Sequence, residues 1–375
     1  MSDITPITMP KFGLAMTEGK IVSWAKQEGS EIAVGEELAD IETSKITNAY
    51  ASPVKGVLRR HVVAEQEELP VGALIAVVAD ASVPESEIDA FIAKFQGEFA
   101  GNRDDFRSKT AVAPVCVEAG GRAIRYLEAG TQHQGRPVVL IHGFGGDLNN
   151  WLFTQPSLAE THRVIALDLP GHGGSSKDVG SGDLATFSRT LTAFLDALDI
   201  PKAHLVGHSL GGGVALRIAL EHPARIASLS LICPTGLGTE IDRAFTQDFI
   251  TAGRRKQLLP VLQKLFADKS LVRTAMAEDL LKFKRIDGAQ SALAMIATAN
   301  FGEGYQKEVL VGRLAELGGL PAQVIWGALD QIIPARHAAG LPENVKTYVL
   351  SGAGHMPHME KAAEVNRILL DFIPK

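Results

Sequence analysis

Residues 203–212 read AHLVGHSLGG, and the architecture of the larger part of the chain turns on them. AHLV is a short apolar run suited to a buried strand, and GGVALRIAL after it carries apolar side chains at helical spacing. Between the two, Gly207-His208-Ser209-Leu210-Gly211 fits the G-x-S-x-G pattern, in which a sharp strand-to-helix turn exposes a serine hydroxyl. The glycines leave room around that turn. A bare match of this kind is common, but its place at a strand–helix junction gives it weight. Ser209 is the candidate nucleophile.

A serine hydroxyl needs a base, and the base needs a group to orient it. The order expected after such an elbow is an acid and then a histidine, each following a later strand. Asp330 follows VIWGAL and His355 follows YVLSGAG, which supplies that order. His355 takes the Ser209 proton, and Asp330 holds the histidine's tautomer and stabilises the imidazolium. Oxyanion donors are expected from the backbone of Leu210 and, in HGFGG at 142–146, of Phe144. Asp168 ends another strand and can substitute as the acid. His142 and His208 flank the site and read mainly as packing and loop support, while His172 and His358 read as structural.

Working outward, a hairpin-like VCVEAGGRAIRYLEAG is followed by VVLI, VIAL, HLVG, LSLI and QVIW, short runs typical of buried parallel strands. FSRTLTAFLDAL, GGVALRIALEH and AAEVNRILLDFI carry helical patterns between and after them. Strands alternating with helices predict a doubly wound sheet. Together HGFGG, DLPGHGGSS, GHSLGG, WGALDQIIP and GAGHMPHME resemble the α/β-hydrolase family over the whole of 114–375. The resemblance implies that 236–310 is a helical cap roofing the active site.

Residues 1–80 differ. ITMPKFG, GKIVSWAKQEG, EELADIETSKI, TNAYASPVKGVLRRHVV and GALIAVVAD alternate β-branched or aromatic residues with polar ones, and Gly29, Gly35, Gly56 and Gly72 fall at their boundaries. This predicts a small all-β domain. The stretch MPKFGLAMTEGKIVSWAKQEGSEIAVGEELADIETSKITNAYASPVKGVL resembles the lipoyl domain family. The resemblance implies that Lys45 stands on a hairpin tip and carries lipoate in amide linkage. Biotinyl domains flank their lysine with methionines; here the neighbours are Ser44 and Ile46, which favours lipoate, although the usual lipoyl pattern is Asp-Lys-Ala.

Residues 81–113 place Ile88, Phe91, Ile92, Phe95 and Phe99 at helical spacing after Pro84 and an ESE cluster, and GNRDD then breaks the pattern. They read as a linker with one amphipathic helix that docks on its own chain or on a partner. If flexible throughout, such a linker spans about 30 Å.

Composition sets the outer limits. A net charge of −6 with no basic cluster argues against a nucleic-acid surface. Residues 1–80 hold 12 acidic and 7 basic side chains, so the acidity is concentrated there. Two cysteines, Cys116 and Cys233, make neither a disulfide framework nor a zinc site. No membrane span or secretory leader is read in the sequence, which predicts a cytoplasmic protein with no metal. The pairing of the two domains resembles the acyltransferase components of acetoin dehydrogenase complexes. That resemblance implies acetyl transfer from lipoyl-Lys45 to coenzyme A within a multi-subunit complex. Its partners would be a thiamin-dependent component and a flavin dihydrolipoamide dehydrogenase. A lipoyl-tagged hydrolase of thioesters, esters or carbon–carbon bonds, and a lipoyl carrier with an inert hydrolase fold, are the alternatives.

Overall fold

The computed structural model describes residues 4–10, 12, 16, 18–43, 47–101 and 113–374, in two compact units, 1–112 and 113–375. Lys45, with Ser44 and Ile46, lies outside the described residues.

The first unit is built from strands β1 (Thr5–Thr8), β2 (Glu18–Trp24), β3 (Glu31–Ile32), β4 (Glu37–Glu42), β5 (Thr47–Ala51), β6 (Gly56–His61), β7 (Glu68–Pro70) and β8 (Leu74–Ala79). They form two four-stranded sheets, β1-β8-β6-β3 and β5-β4-β2-β7. Ile7, Met9, Ile21, Leu38, Ile41, Leu58 and Ile75 fill the core they share. The run TNAYASPVKGVLRRHVV, read in the sequence as one strand, is two, β5 and β6. The break falls at Ser52-Pro53: proline cannot donate to a ladder, and the Ser52 hydroxyl turns back to the Val54 carbonyl (2.7 Å). β3 and β7 are too short to show alternation and were not legible in the sequence.

β8, LIAVVA, is buried throughout, which a strand covered on one face cannot be. Ile75, Ala76 and Val78 belong to the core between the sheets. Leu74, Val77 and Ala79 pack instead with Val83 and Ile88, with Phe91, Ile92 and Phe95 beside them. Those residues come from or lead into helix α1 (Glu85–Gly101), which closes the outer face of β8. Glu85 in its first turn bonds Arg59 and Arg60 (2.5 and 2.6 Å), and Asp89 pairs with Arg60 (3.1 Å). The helix thus docks on its own unit. It claims 17 residues of the predicted linker, so the reach of a tether flexible throughout does not apply.

The second unit carries one eight-stranded sheet of β9 (Val115–Ala119), β10 (Arg122–Ala129), β11 (Val138–Ile141), β12 (Val164–Leu167), β13 (Ala203–His208), β14 (Ile226–Ile232), β15 (Ala322–Gly327) and β16 (Val345–Leu350). Its order is β16-β15-β14-β13-β11-β12-β10-β9, parallel from β12 to β16, with β10 and β9 added antiparallel. The central strands VVLI, VIAL and AHLVGH are buried along their whole length. Helices Leu184–Ala197, Leu210–Glu221 and Ala362–Phe372 correspond to the three helical patterns of the sequence. Between β14 and β15 the chain forms helices Arg243–Thr251, Arg255–Gln263, Thr274–Lys284 and Ala289–Asn300, which make up the cap. Among the described residues no helix is long and apolar enough to cross a membrane.

Candidate active site

Ser209 joins β13 to helix Leu210–Glu221 with φ 52° and ψ −118°, a conformation that side-chain-bearing residues rarely adopt. The surroundings enforce it. Ser209 N–H donates to the Ile232 carbonyl (2.9 Å), and its own carbonyl accepts from the amides of Gly213 (3.1 Å) and Thr235 (3.0 Å). Cβ atoms on Gly207 and Gly211 would lie 2.4 Å from the Gly211 carbonyl oxygen and 2.3 Å from that of Ile141, so only glycine fits at either place. The pattern legible in the sequence is therefore a steric requirement of the turn.

Two later strands deliver the partners. His355 Nε2 lies 3.0 Å from Ser209 Oγ, and its Nδ1 lies 2.7 Å from Asp330 Oδ2. Asp330 sits beyond β15, its carboxylate fully buried and bonded. Oδ1 accepts from the amides of Ile332 (2.8 Å) and Ile333 (3.0 Å), and Oδ2 also accepts from the Trp326 indole (3.0 Å). Having no proton to give, the carboxylate can only accept a hydrogen bond from His355 Nδ1–H, which leaves Nε2 free to accept from serine. Asp168, the other acid considered in the sequence, is committed elsewhere: it accepts from Leu148 and Gly174 amides (each 2.7 Å) and from Arg125 (3.1 Å).

The two stretches from which the sequence expects oxyanion donors both border the serine. Leu210 is the first residue of its helix, so its N–H has no partner within that helix. The 142–146 loop passes directly over the nucleophile, since a Cβ on Gly143 would sit 2.9 Å from Ser209 Cβ, and Phe144 follows it. Two histidines hold that loop. His142 donates from Nδ1 to the Gly143 carbonyl (2.7 Å) and accepts the Leu169 amide at Nε2 (2.9 Å). His172 accepts the Gly145 amide at Nε2 (3.0 Å) and donates from Nδ1 to the Pro170 carbonyl (3.0 Å). Each ring uses one nitrogen as acceptor, so both are neutral, and burial lowers the pKa of both. Above the loop the Phe144 ring lies 5.3 Å from that of Phe249 and 5.8 Å from that of Phe301, both from the cap.

His208 and His358, read in the sequence as supporting residues, are joined around the site by Glu360 and Cys233, which the sequence did not single out for it. His208 Nε2 donates to the backbone carbonyl of His355 (2.8 Å), and burial, with His358 and His355 beside it, pushes its pKa well down. The His358 ring lies 4.6 Å from that of His208 and 4.8 Å from that of Trp151, with its pKa lowered by burial to about 3. Glu360 accepts the amides of Gly354 and Ala267 (each 2.6 Å), and His355 N–H donates to the Leu265 carbonyl (2.9 Å), so the histidine loop is tied to the cap. Burial raises the Glu360 pKa. Cys233 follows β14 directly, with its thiol in the same group as Asp330 and His355, their ligand atoms all within 4.8 Å. Burial and Asp330 raise its pKa well above the usual thiol value, which keeps it a neutral thiol.

This constellation has relatives. The family described as "alpha/beta hydrolase fold" matches residues 136–362, and the one described as "Biotin-requiring enzyme" matches residues 5–78. The dihydrolipoyllysine-residue acetyltransferase component of the acetoin cleaving system of Pseudomonas putida is 50% identical over 100% of this chain and 100% of its own. The protein of the same name from Cupriavidus necator is 43% identical over 98% of this chain and 96% of its own. Among solved structures, a meta-cleavage product hydrolase from Pseudomonas fluorescens IP01 shares the fold at 23% identity, with a TM-score of 0.62 over 69% of this chain and 96% of that one. Both matched families lie along this one chain, the two relatives align with nearly all of it, and this chain belongs to their family, the dihydrolipoyllysine-residue acetyltransferase components of acetoin cleaving systems.

Proposed function

We propose that this protein acts in the cytoplasm and moves an acetyl group from dihydrolipoyl-Lys45 to coenzyme A through Ser209, His355 and Asp330. The observation that carries the reading is the hydrogen-bonded series from Ser209 through His355 to Asp330, at 3.0 and 2.7 Å, on a chain that also holds a lipoyl domain. β4 and β5 pair out to Glu42 opposite Thr47, the residues that flank the 43–46 stretch of the sequence. Lipoate on Lys45 supplies the acetyl group as a thioester.

Ser209 Oγ gives its proton to His355 Nε2 as it bonds to the thioester carbonyl carbon. The amides of Leu210 and Phe144 hold the oxyanion, each lowering the barrier by about 3 kcal/mol. The carbon–sulfur bond then breaks, the departing sulfur takes the proton from His355, and the acetyl group rests on Ser209. Next His355 accepts the proton of the coenzyme A thiol, whose sulfur attacks the ester carbonyl. Ser209 Oγ leaves and recovers that proton. Acetyl-coenzyme A and the starting enzyme result.

Two features favour a thiol over water as the acceptor. Ser209 is 7% exposed and His355 2%, so a slender arm such as pantetheine or lipoyl-lysine reaches them better than a bulky substrate does. The Phe144, Phe249 and Phe301 rings make the roof apolar, which disfavours water at the acyl group. The reading gives the protein, within a multi-enzyme complex, a thiamin-dependent component that loads the acetyl group and a flavin dihydrolipoamide dehydrogenase that reoxidises the dithiol as its partners.

Full-length lipoylated protein, acetylated on the lipoyl group and mixed with coenzyme A, provides the test. Mass spectrometry should find acetyl-coenzyme A with the wild type and a loss of at least about 10³-fold with Ser209→Ala. Free acetate released at one rate with or without coenzyme A would make this a hydrolase and overturn the proposal.

A further inference from the structure

A second cleft opens on the same end of the sheet as Ser209. β10 runs antiparallel to β12, and Tyr126 pairs with Leu167, the last residue of β12. Arg122, four residues before Tyr126, therefore lies beyond the carboxyl ends of the parallel strands, the end at which β13 delivers Ser209. Ligands of open α/β sheets bind at that end. Here a cleft of ≈ 380 Å³ is bounded by Arg122, Ser181, Thr186, Arg189 and Thr190, with Gly120 and Gly180 at its edges.

Two guanidinium groups and no carboxylate line it, and its three hydroxyls already bond within the protein, Ser181 to Asp183 (2.9 Å) and Thr186 (2.5 Å) and Thr190 to the Thr186 carbonyl (3.0 Å), so the arginines carry its attraction for anions. Arg189 is exposed, makes no ion pair among the described residues and donates only to Thr186 Oγ1 (2.9 Å), so most of its N–H groups stay available. The Arg122 side chain is 16% exposed and is fixed by Asp178, at 2.8 Å to the carbonyl and 3.2 Å to the carboxylate. It lies flat against Gly180, where a Cβ would come within 2.9 Å of Arg122 Nη2. The two nearby acids are already engaged. Asp178 pairs with Arg122, and Asp183 caps the next helix by accepting the Thr186 amide (2.8 Å) and the Ser181 hydroxyl (2.9 Å).

A short series of contacts links the cleft to the oxyanion loop. The Gly182 carbonyl accepts from Asn300 Nδ2 (2.7 Å), and Gly182 lies against Ile296 of the cap. The Ile296 side chain abuts Gly171, and the next residue, His172, holds the Gly145 amide beside Phe144. We propose that this cleft binds the phosphate groups of coenzyme A, with Arg189 as the principal contact and Arg122 as the fixed one. The proposal requires the pantetheine arm to pass cap helix Ala289–Asn300 on its way to Ser209. The proposal rests on the acetyl-transfer reading above and deepens it by naming what selects the acceptor thiol.

The test compares coenzyme A with pantetheine, the same thiol arm without the phosphates, in full-length wild type and Arg189→Gln. The wild type should prefer coenzyme A in kcat/KM, and Arg189→Gln should cut that preference roughly tenfold, mainly through the KM for coenzyme A. Adenosine 3′,5′-bisphosphate should bind the wild type in calorimetry, compete with coenzyme A, and lose affinity by a similar factor in the variant. An unchanged ratio of the two thiols in Arg189→Gln, or a wild type that treats them alike, overturns the phosphate site while acetyl transfer stands. If neither thiol collects acetyl, the acetyl-transfer reading fails, and calorimetry with the bisphosphate still decides whether the cleft is an anion site.

Discussion

Asp330→Asn is the substitution whose outcome the site geometry defines most sharply. The Ile332 and Ile333 amides require an acceptor at Oδ1, so the asparagine oxygen stays there and its NH₂ group turns toward His355. His355 Nδ1 must then accept, which puts the proton on Nε2, facing Ser209. The histidine is held in the wrong tautomer, and kcat should fall roughly 10⁴-fold. A loss below tenfold would mean that Asp330 does not set the tautomer. His208→Phe tests the support behind the base: it leaves the buried His355 carbonyl without its donor and should cost about 1–3 kcal/mol of stability, together with a lower kcat. Ser209, Asp330 and His355 were legible in the sequence because each sits at a strand end in a recognisable string. Trp326, Glu360 and Cys233 were not, and for His208 only a place beside the site was, because what these residues touch is set by the fold: His208 bonds a carbonyl 147 residues away.

At the scale of elements, the run LIAVVA predicts a strand but not what covers it. Its outer face needs a partner, and four of the five apolar residues at helical spacing in 81–113, Ile88, Phe91, Ile92 and Phe95, provide one, a link that neither segment shows when read separately. Ile88 is fully buried at the centre of that contact. Ile88→Ala should destabilise the first unit by about 2–4 kcal/mol, read as faster amide exchange along β8 in the intact chain. Exchange unchanged in β8 would show that α1 contributes nothing to the unit beneath it. The strands that escaped sequence reading, β3 and β7, are held by pairing with β6 and β2 rather than by a pattern of their own. Periodicity carries the long elements, and tertiary pairing alone carries the short ones.

Across the whole molecule, the two units differ most in their histidines. His61 is the only histidine among residues 1–112, and ten belong to the second unit. Burial there lowers the pKa of His142, His172, His204, His208 and His358, to about 4 for His204 and about 3 for His358. In the unfolded chain these groups titrate near 6.5, so between that pH and the folded value the unfolded state binds more protons. The stability of the second unit is therefore greatest above about pH 6.5 and is lost as pH falls below it. His358 alone contributes a loss of about 2–3 kcal/mol by about pH 4.5, because its ring, packed against Trp151 and His208, cannot hold a proton there. Calorimetry of the full chain from pH 7 to 4.5 should show the transition of the second unit falling more steeply than that of the first. Acidic groups such as Glu240, held near 2 by His337 and Arg336, add to the same fall, so the discriminating comparison is with His358→Phe. That variant keeps an aromatic ring in the place of His358 and removes its titration, so its transition should fall less with acid than the wild type's. Identical slopes in the two proteins would assign the acid sensitivity to carboxylates and remove His358 from the account.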